Sequence, residues 1–275
     1  MEDAQAAGLI AASRGTHLAL DACWAPAGAG LLVPRTSDDR VLFLLPWQGG
    51  TLAGTTDVAA AATDAPEPSD AEVDYLLGQL GEWLQPAPVR ADIRAQWAGL
   101  RPLIAEQSTR TARIVREHHV EVGPAGLVSI AGGKWTTYRL MAEETVDRAI
   151  ETAGLNAAGP CRTRALPLLG AENYHPGLVR ELAARHGLDD DVARHLARAY
   201  GGQAEQVLQQ AGANGHERLL AGYPYLLAEV TWARDQEMAL TAEDVLARRL
   251  RLSFVDAAAA TTARERVQSL LEKPV

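Results

Sequence analysis

At 275 residues, with 47% hydrophobic and 22% charged side chains, the chain can form one large domain or two ordinary ones around a real core. A net charge of −9 excludes a broad nucleic-acid surface and leaves room only for a local basic pocket. Cys23 and Cys161 show neither metal spacing nor disulfide-scaffold density, no apolar run reaches membrane-spanning length, and the start MEDAQ is acidic where a signal peptide is basic. A soluble chain in a reducing compartment is the expectation.

In chain order, THLALD, GLLVP and RVLFLLPW read as short strands separated by the turn signals AGAG and SDD. After DAPEP, Ser69 and Glu72 form a capping box, and Val73, Leu76, Leu77, Leu80, Trp83 and Leu84 recur at helical spacing. Strand-like stretches return as IRAQWAGL, ARIVREHHVEV and GLVSIA, and a helix is expected over Lys134 to Ala153. GLNAAGPCRTRALPLLG has glycines and prolines and no periodicity, so it reads as a linker over 154–170. Beyond it the pattern is helical: PGLVRELAARHG, DDDVARHLARAYG closed by Gly201, TAEDVLARRLRL opened by Thr241, and DAAAATTARERVQSLLEK.

VSIAGGKWTTYR places two glycines and a lysine where a strand hands over to a helix. A helix N-terminus carries unpaired N–H groups and partial positive charge, so a phosphate or an electron-rich cofactor ring suits it. A nucleotide-binding P-loop is excluded, because Val128 and Trp135 stand where that loop needs glycine and a hydroxyl residue. A tight turn whose glycines serve packing alone is the other reading. Between Arg90 and Arg116 six arginines face two acids. Most suit a solvated face, but Arg101 lies among apolar residues in WAGLRPL, where a charge needs a partner. His17 begins an apolar strand; it reads either as structural or as a proton acceptor titrating near neutral pH. LAGTTD reads as a turn or helix cap. No metal-ligand spacing is present among the seven histidines.

RGTHLAL, LVPR, FLLPWQGGTLAGTTD, WAGLRPL, RIVREHHVEV, AGGKWTTYR and the tail EVTWARDQEMALTAEDVLARRLRLSFVD occur in the order and rough spacing of one family. The chain resembles the quinone-linked, FAD-dependent glycerol-3-phosphate dehydrogenases, of the D-amino-acid-oxidase-like flavoprotein superfamily, from about His17 onward. The resemblance implies an α+β fold. Residues 1–153 would hold a mostly antiparallel substrate-domain sheet that contacts the flavin, and residues 171–275 an all-helical domain. It implies oxidation of glycerol 3-phosphate to dihydroxyacetone phosphate, with FAD as cofactor and quinone as electron acceptor.

By the same resemblance, His17, Arg101 and Lys134 are catalytic, and Arg101, Arg116 and His17 bind substrate. Gly132, Gly133, Lys134, Thr136 and Thr137 lie against the flavin. A cytoplasmic site, peripheral on the inner face of the cell membrane, and a homodimer accompany this reading. Two departures stand out. No GxGxxG is present in the 275 residues, and Trp135 replaces a smaller residue. The expectation is that these residues alone neither retain FAD nor turn over. Alternatives are another oxidase of the superfamily, acting on an amino or hydroxy acid, and a non-catalytic fragment.

Overall fold

Strand β1, Ile10–Leu20, is the axis of the first part of the chain. It is seen in a computed structural model that describes residues 10–272 apart from 27, 37, 105–117, 211 and 213. On one side β1 pairs with β4 (Gly50–Gly54) and, further along, with β5 (Val58–Ala59). On the other side it pairs with the long β6 (Ile93–Ile104). Outside β4 lie β3 (Leu42–Trp47) and then β2 (Leu31–Val33), and every pairing is antiparallel.

Side chains alternate across a strand, so this sheet has two different faces. Leu18, Leu20, Leu42, Leu44 and Ala53 point to one face and form a core with Val73, Leu76 and Leu80 of α1 (Asp70–Gly81). Those three helical residues share one face by their spacing. The other face carries His17, Trp97, Phe43 and Arg101 and stays partly open. Leu32 and Leu45 on it are exposed. The capping box predicted at Ser69 and Glu72 is present, with both reciprocal bonds. The helix stops at Gly81, short of the apolar spacing, which runs to Leu84. Only one loose turn follows, the Leu84 N–H reaching the Leu80 carbonyl at 2.9 Å, and Trp83 is half exposed. Gly81 and the prolines at 86 and 88 explain the early end.

A second, two-stranded sheet pairs β7 (His118–Val122) with β8 (Val128–Gly132), and β8 lies against β6. It leads into α2 (Tyr138–Ala153). The helix expected from Lys134 therefore begins later. Lys134 is extended, Trp135–Thr137 make a single 3-10 turn, and regular α-helix starts at Tyr138. Positive φ at Gly132 and Gly133, 72° and 80°, turns the chain out of the strand.

The chain divides into two compact units between Leu166 and Pro167. Among its described residues the second is built of helices and their connections, with one bridge between Arg218 and Leu226. Its helices are α3 (Leu178–His186), α4 (Asp190–Tyr200), α5 (Ala204–Gln209), α6 (Leu227–Gln236), α7 (Leu252–Val255) and α8 (Ala257–Leu271). Asp256 caps α8 by accepting from the Ala259 N–H at 2.8 Å. The segment opened by Thr241 is helical, but Asp244–Arg249 is wound as a π-helix. Thr241 and Asp244 exchange the capping bonds there, each backbone N–H donating to the other's side chain. The fold is α+β, with antiparallel sheets and helices followed by an all-helical unit.

Candidate active site

The register places Phe43, Gly54, His17 and Trp97 in one row across β3, β4, β1 and β6. His17 stacks on Trp97 with ring centroids 5.7 Å apart and tilts against Phe43 at 5.8 Å. Between Phe43 and His17 the intervening residue has to be glycine, because a Cβ on Gly54 would come within 2.5 Å of the imidazole. Burial, reinforced by the positive charge of Arg101, lowers the His17 pKa to about 4. The imidazole is therefore neutral throughout the neutral range. Titration near pH 6–7, expected from the residue type alone, is corrected by this surrounding.

Arg101 pairs in register with Ser13, two rows from His17 and on the same face. Its guanidinium reaches back over Gly15, where an added Cβ would lie 2.4–2.7 Å from the guanidinium atoms. One terminal nitrogen donates to the Thr55 hydroxyl at 3.0 Å and the other to the Thr56 carbonyl at 3.3 Å. These two residues belong to the GTTD turn, which spacing alone assigns only a capping role.

The next residues fasten that turn. Thr56 Oγ1 accepts from the Thr16 N–H at 2.8 Å and donates to Glu72 at 2.8 Å, while Asp57 accepts from the Ser13 hydroxyl. Glu72 also accepts from Thr16, from Ser69 and from Arg14, the last at 2.6 Å. Burial opposes charge on Glu72, but the hydrogen bonds from Ser69, Thr56 and Arg14 outweigh it and hold the carboxyl at about 2.

The structure thus brings His17 and Arg101 together. Arg116 lies outside the described residues. Gly132, Gly133, Lys134, Thr136 and Thr137 lie at the end of β8 and in the turn that follows it. Gly133 is closely packed, since a Cβ there would meet the Met141 thioether at 2.5 Å and His118 at 3.1 Å. Thr137 spends its hydroxyl proton locally, on the Lys134 carbonyl at 3.0 Å. Lys134 and Thr136 remain exposed, and Trp135 is 83% exposed, stacked on Tyr138.

An exposed lysine, an exposed hydroxyl and the first-turn N–H groups before a 16-residue helix form a donor-rich set. That set fits the electron-rich edge of a flavin ring. Sequence reasoning missed Gly15, Gly54, Thr55 and Thr56 as parts of the site. Gly15 lies two residues from His17 and two from Ser13, the register partner of Arg101, and Gly54 is the register partner of His17, but only the strand register gives either glycine meaning.

A family model described as FAD-dependent oxidoreductase matches residues 2–148, more than half of the chain. The chain belongs to that family. Residues 161–275 match a second model, the C-terminal domain of alpha-glycerophosphate oxidase. The chain is 41% identical to the mitochondrial glycerol-3-phosphate dehydrogenase of Macaca fascicularis, over 98% of its own length and 38% of that relative. It is 40% identical to a probable mitochondrial glycerol-3-phosphate dehydrogenase of Dictyostelium discoideum, over 93% of its own length and 42% of that protein. Among solved structures it is similar to the glycerol-3-phosphate dehydrogenase of Bacillus halodurans complexed with FAD. The TM-score is 0.75 at 29% identity, covering 96% of this chain and 57% of that one. The FAD-dependent oxidoreductase chain described here therefore spans well under two thirds of the length of these relatives.

Proposed function

We propose that this chain serves the FAD-dependent oxidation of glycerol 3-phosphate to dihydroxyacetone phosphate. The observation that carries the reading is a permanently charged Arg101 held beside a neutral His17 on a partly open sheet face. Guanidinium and phosphate match as a forked, charge-assisted pair, so Arg101 anchors the ester oxyanion. His17 has an available lone pair at neutral pH and accepts the hydroxyl proton from carbon 2 as the carbonyl forms. The hydrogen on that carbon would leave with its electron pair, and FAD, when bound, would supply the acceptor for it.

Binding and basicity are linked. A phosphate on Arg101 offsets the positive charge that helps to depress His17, so the imidazole becomes a better base once substrate is in place. Lys134, Thr136 and the first-turn N–H groups of the helix after Gly133 would hold the pyrimidine edge of the flavin. Arg116 is a second proposed substrate cation.

The names of the relatives support the substrate, as does the match of the tail to an alpha-glycerophosphate oxidase domain. The finer proposals, carried by the family resemblance, are a quinone as onward acceptor, a cytoplasmic location at the inner membrane face and a homodimer. Among the described residues no helix is long and apolar enough to cross a membrane.

The test compares glycerol 3-phosphate with glycerol in dye-linked oxidation by a flavin-loaded protein in which these residues are joined to a GxGxxG-bearing FAD-binding segment. Arg101→Ala should lower kcat/KM for the phosphate ester by about 2–4 kcal/mol in transition-state binding, and far less for glycerol. Equal losses on both substrates would remove Arg101 from the phosphate. The acid limb of kcat/KM should fall at about pH 4 and vanish in His17→Asn.

A further inference from the structure

Fixing an arginine against a ligand is costly, because its long side chain has much rotamer freedom to lose. A site that has already restricted that freedom binds more tightly for the same contacts. We propose that Thr55 and Gly15 are positioning residues for Arg101, presetting its guanidinium beside His17 before any ligand arrives. The inference rests on the substrate reading above only for what the guanidinium then receives.

Three independent observations converge on it. The Thr55 hydroxyl donates its proton to the Thr56 carbonyl at 3.1 Å, which leaves its oxygen lone pairs to accept from Arg101 at 3.0 Å. The space above Gly15 is filled by the guanidinium itself, and any side chain there would displace it. The turn that offers Thr55 is fastened on the core side through Thr56 to Thr16 and Glu72, and on the site side through Asp57 to Ser13. Glu72 is a buried carboxylate fixed in a helix cap, so the anchorage runs from the core of the first unit to the arginine.

Thr55 and Gly15 touch no reacting atom in this arrangement. Their effect passes through Arg101, and His17 reports it, because Arg101 is the charge that adds to burial in depressing the imidazole. Among the described residues, Phe43, Trp97 and Gly54, which lie against the ring, are uncharged. Asp57 is engaged with Ser13.

The experiment titrates the His17 imidazole by 15N NMR in the full chain and in four variants: Arg101→Gln, Thr55→Val, Thr55→Ser and Gly15→Ala. It needs neither flavin nor substrate. Thr55→Val keeps the shape of the side chain, and the Gly15→Ala clash falls on the end of a flexible side chain, so both variants should fold. Arg101→Gln should raise the midpoint from about 4 toward the ordinary value of 6.5. Thr55→Val and Gly15→Ala should move it the same way, and Thr55→Ser should restore the wild-type curve.

A second arm follows binding of glycerol 3-phosphate by isothermal titration calorimetry. Affinity should fall about tenfold in Thr55→Val and by less than about twofold in Thr55→Ser. Wild-type titration of His17 in both Thr55→Val and Gly15→Ala, with a shift in Arg101→Gln, would overturn the proposal. A shifted midpoint with glycerol and glycerol 3-phosphate bound alike would keep the positioning role and overturn the substrate reading instead.

Discussion

Glu72 and Glu229 each occupy the third residue of a helix, one in the sheet unit and one in the helical unit, and both are buried, at 4% and 0% exposure. Each carboxylate reaches back to the backbone N–H that precedes its helix, at 3.1 Å and 2.7 Å. Their remaining partners differ. Glu72 receives an arginine and two threonine hydroxyls. Glu229 receives His195 at 2.6 Å and the Tyr200 hydroxyl at 3.1 Å, both from α4. Arginine keeps its charge at every relevant pH, whereas histidine does not. The anchor that reaches the candidate site is thus fixed in charge, and the anchor that joins two helices has a partner that titrates.

The largest expected effect comes from removing the first anchor. Glu72→Ala leaves Arg14 next to the core without its carboxylate and takes a hydrogen-bond acceptor from Thr16 and Thr56. A buried pair broken from one side costs about 3–5 kcal/mol, and denaturant unfolding should show a loss of that size. Glu72→Gln keeps the shape and one acceptor oxygen and should lose less. A loss below about 1 kcal/mol in Glu72→Ala would mean that the network contributes no net stability.

Acid should act next, on His17. Its pKa is about 4 when folded and ordinarily 6.5, so the unfolded chain binds more protons between those values. Stability is full above about pH 6.5 and is lost as pH falls toward 4, by about 3 kcal/mol in all. Glu72 adds a second loss below it, since its folded value of about 2 lies under the ordinary 4.5. Thermal melts of His17→Gln should lack the upper loss and retain the lower one. A variant that tracks the wild type between pH 6.5 and 4 would contradict the depressed imidazole.

Much of this was legible before the fold. The Ser69–Glu72 cap, the strands around His17 and Arg101 and the helical tail follow from local spacing, which fixes period and termini. Arg101 stood out because a charge among apolar residues needs a partner. Two partners, Thr55 and Thr56, did not, because they come from a turn 45 and 46 residues earlier in the sequence and depend on strand register. Gly15 and Gly54 were invisible for the same reason: a glycine that makes room for a side chain on a neighbouring strand has no local signature. The same limit concealed Glu229. An acid in the first turn of a helix is read as a cap, and only packing of α4 against α6 shows that it also holds a histidine.

The smallest expected effect is a difference of sign between the two histidines. Burial opposes the charge of His195, but the neighbouring Glu229 carboxylate outweighs it and raises the pKa above 6.5. The folded state then holds a proton that the unfolded state releases, so this stability is present in full below pH 6.5 and is lost as pH rises through the folded value. His17 behaves in the opposite way. Raising the pH from neutrality should therefore lower the melting temperature through His195 while leaving the His17 contribution constant. In His195→Gln the alkaline decline should flatten, although the variant starts less stable because Glu229 keeps only neutral partners. Tyr200 does not confuse the result, since burial and the same carboxylate push its own titration well above the ordinary range. An alkaline slope unchanged in His195→Gln would show that His195 is neutral beside Glu229, and the contrast between the two anchors would then rest on geometry alone.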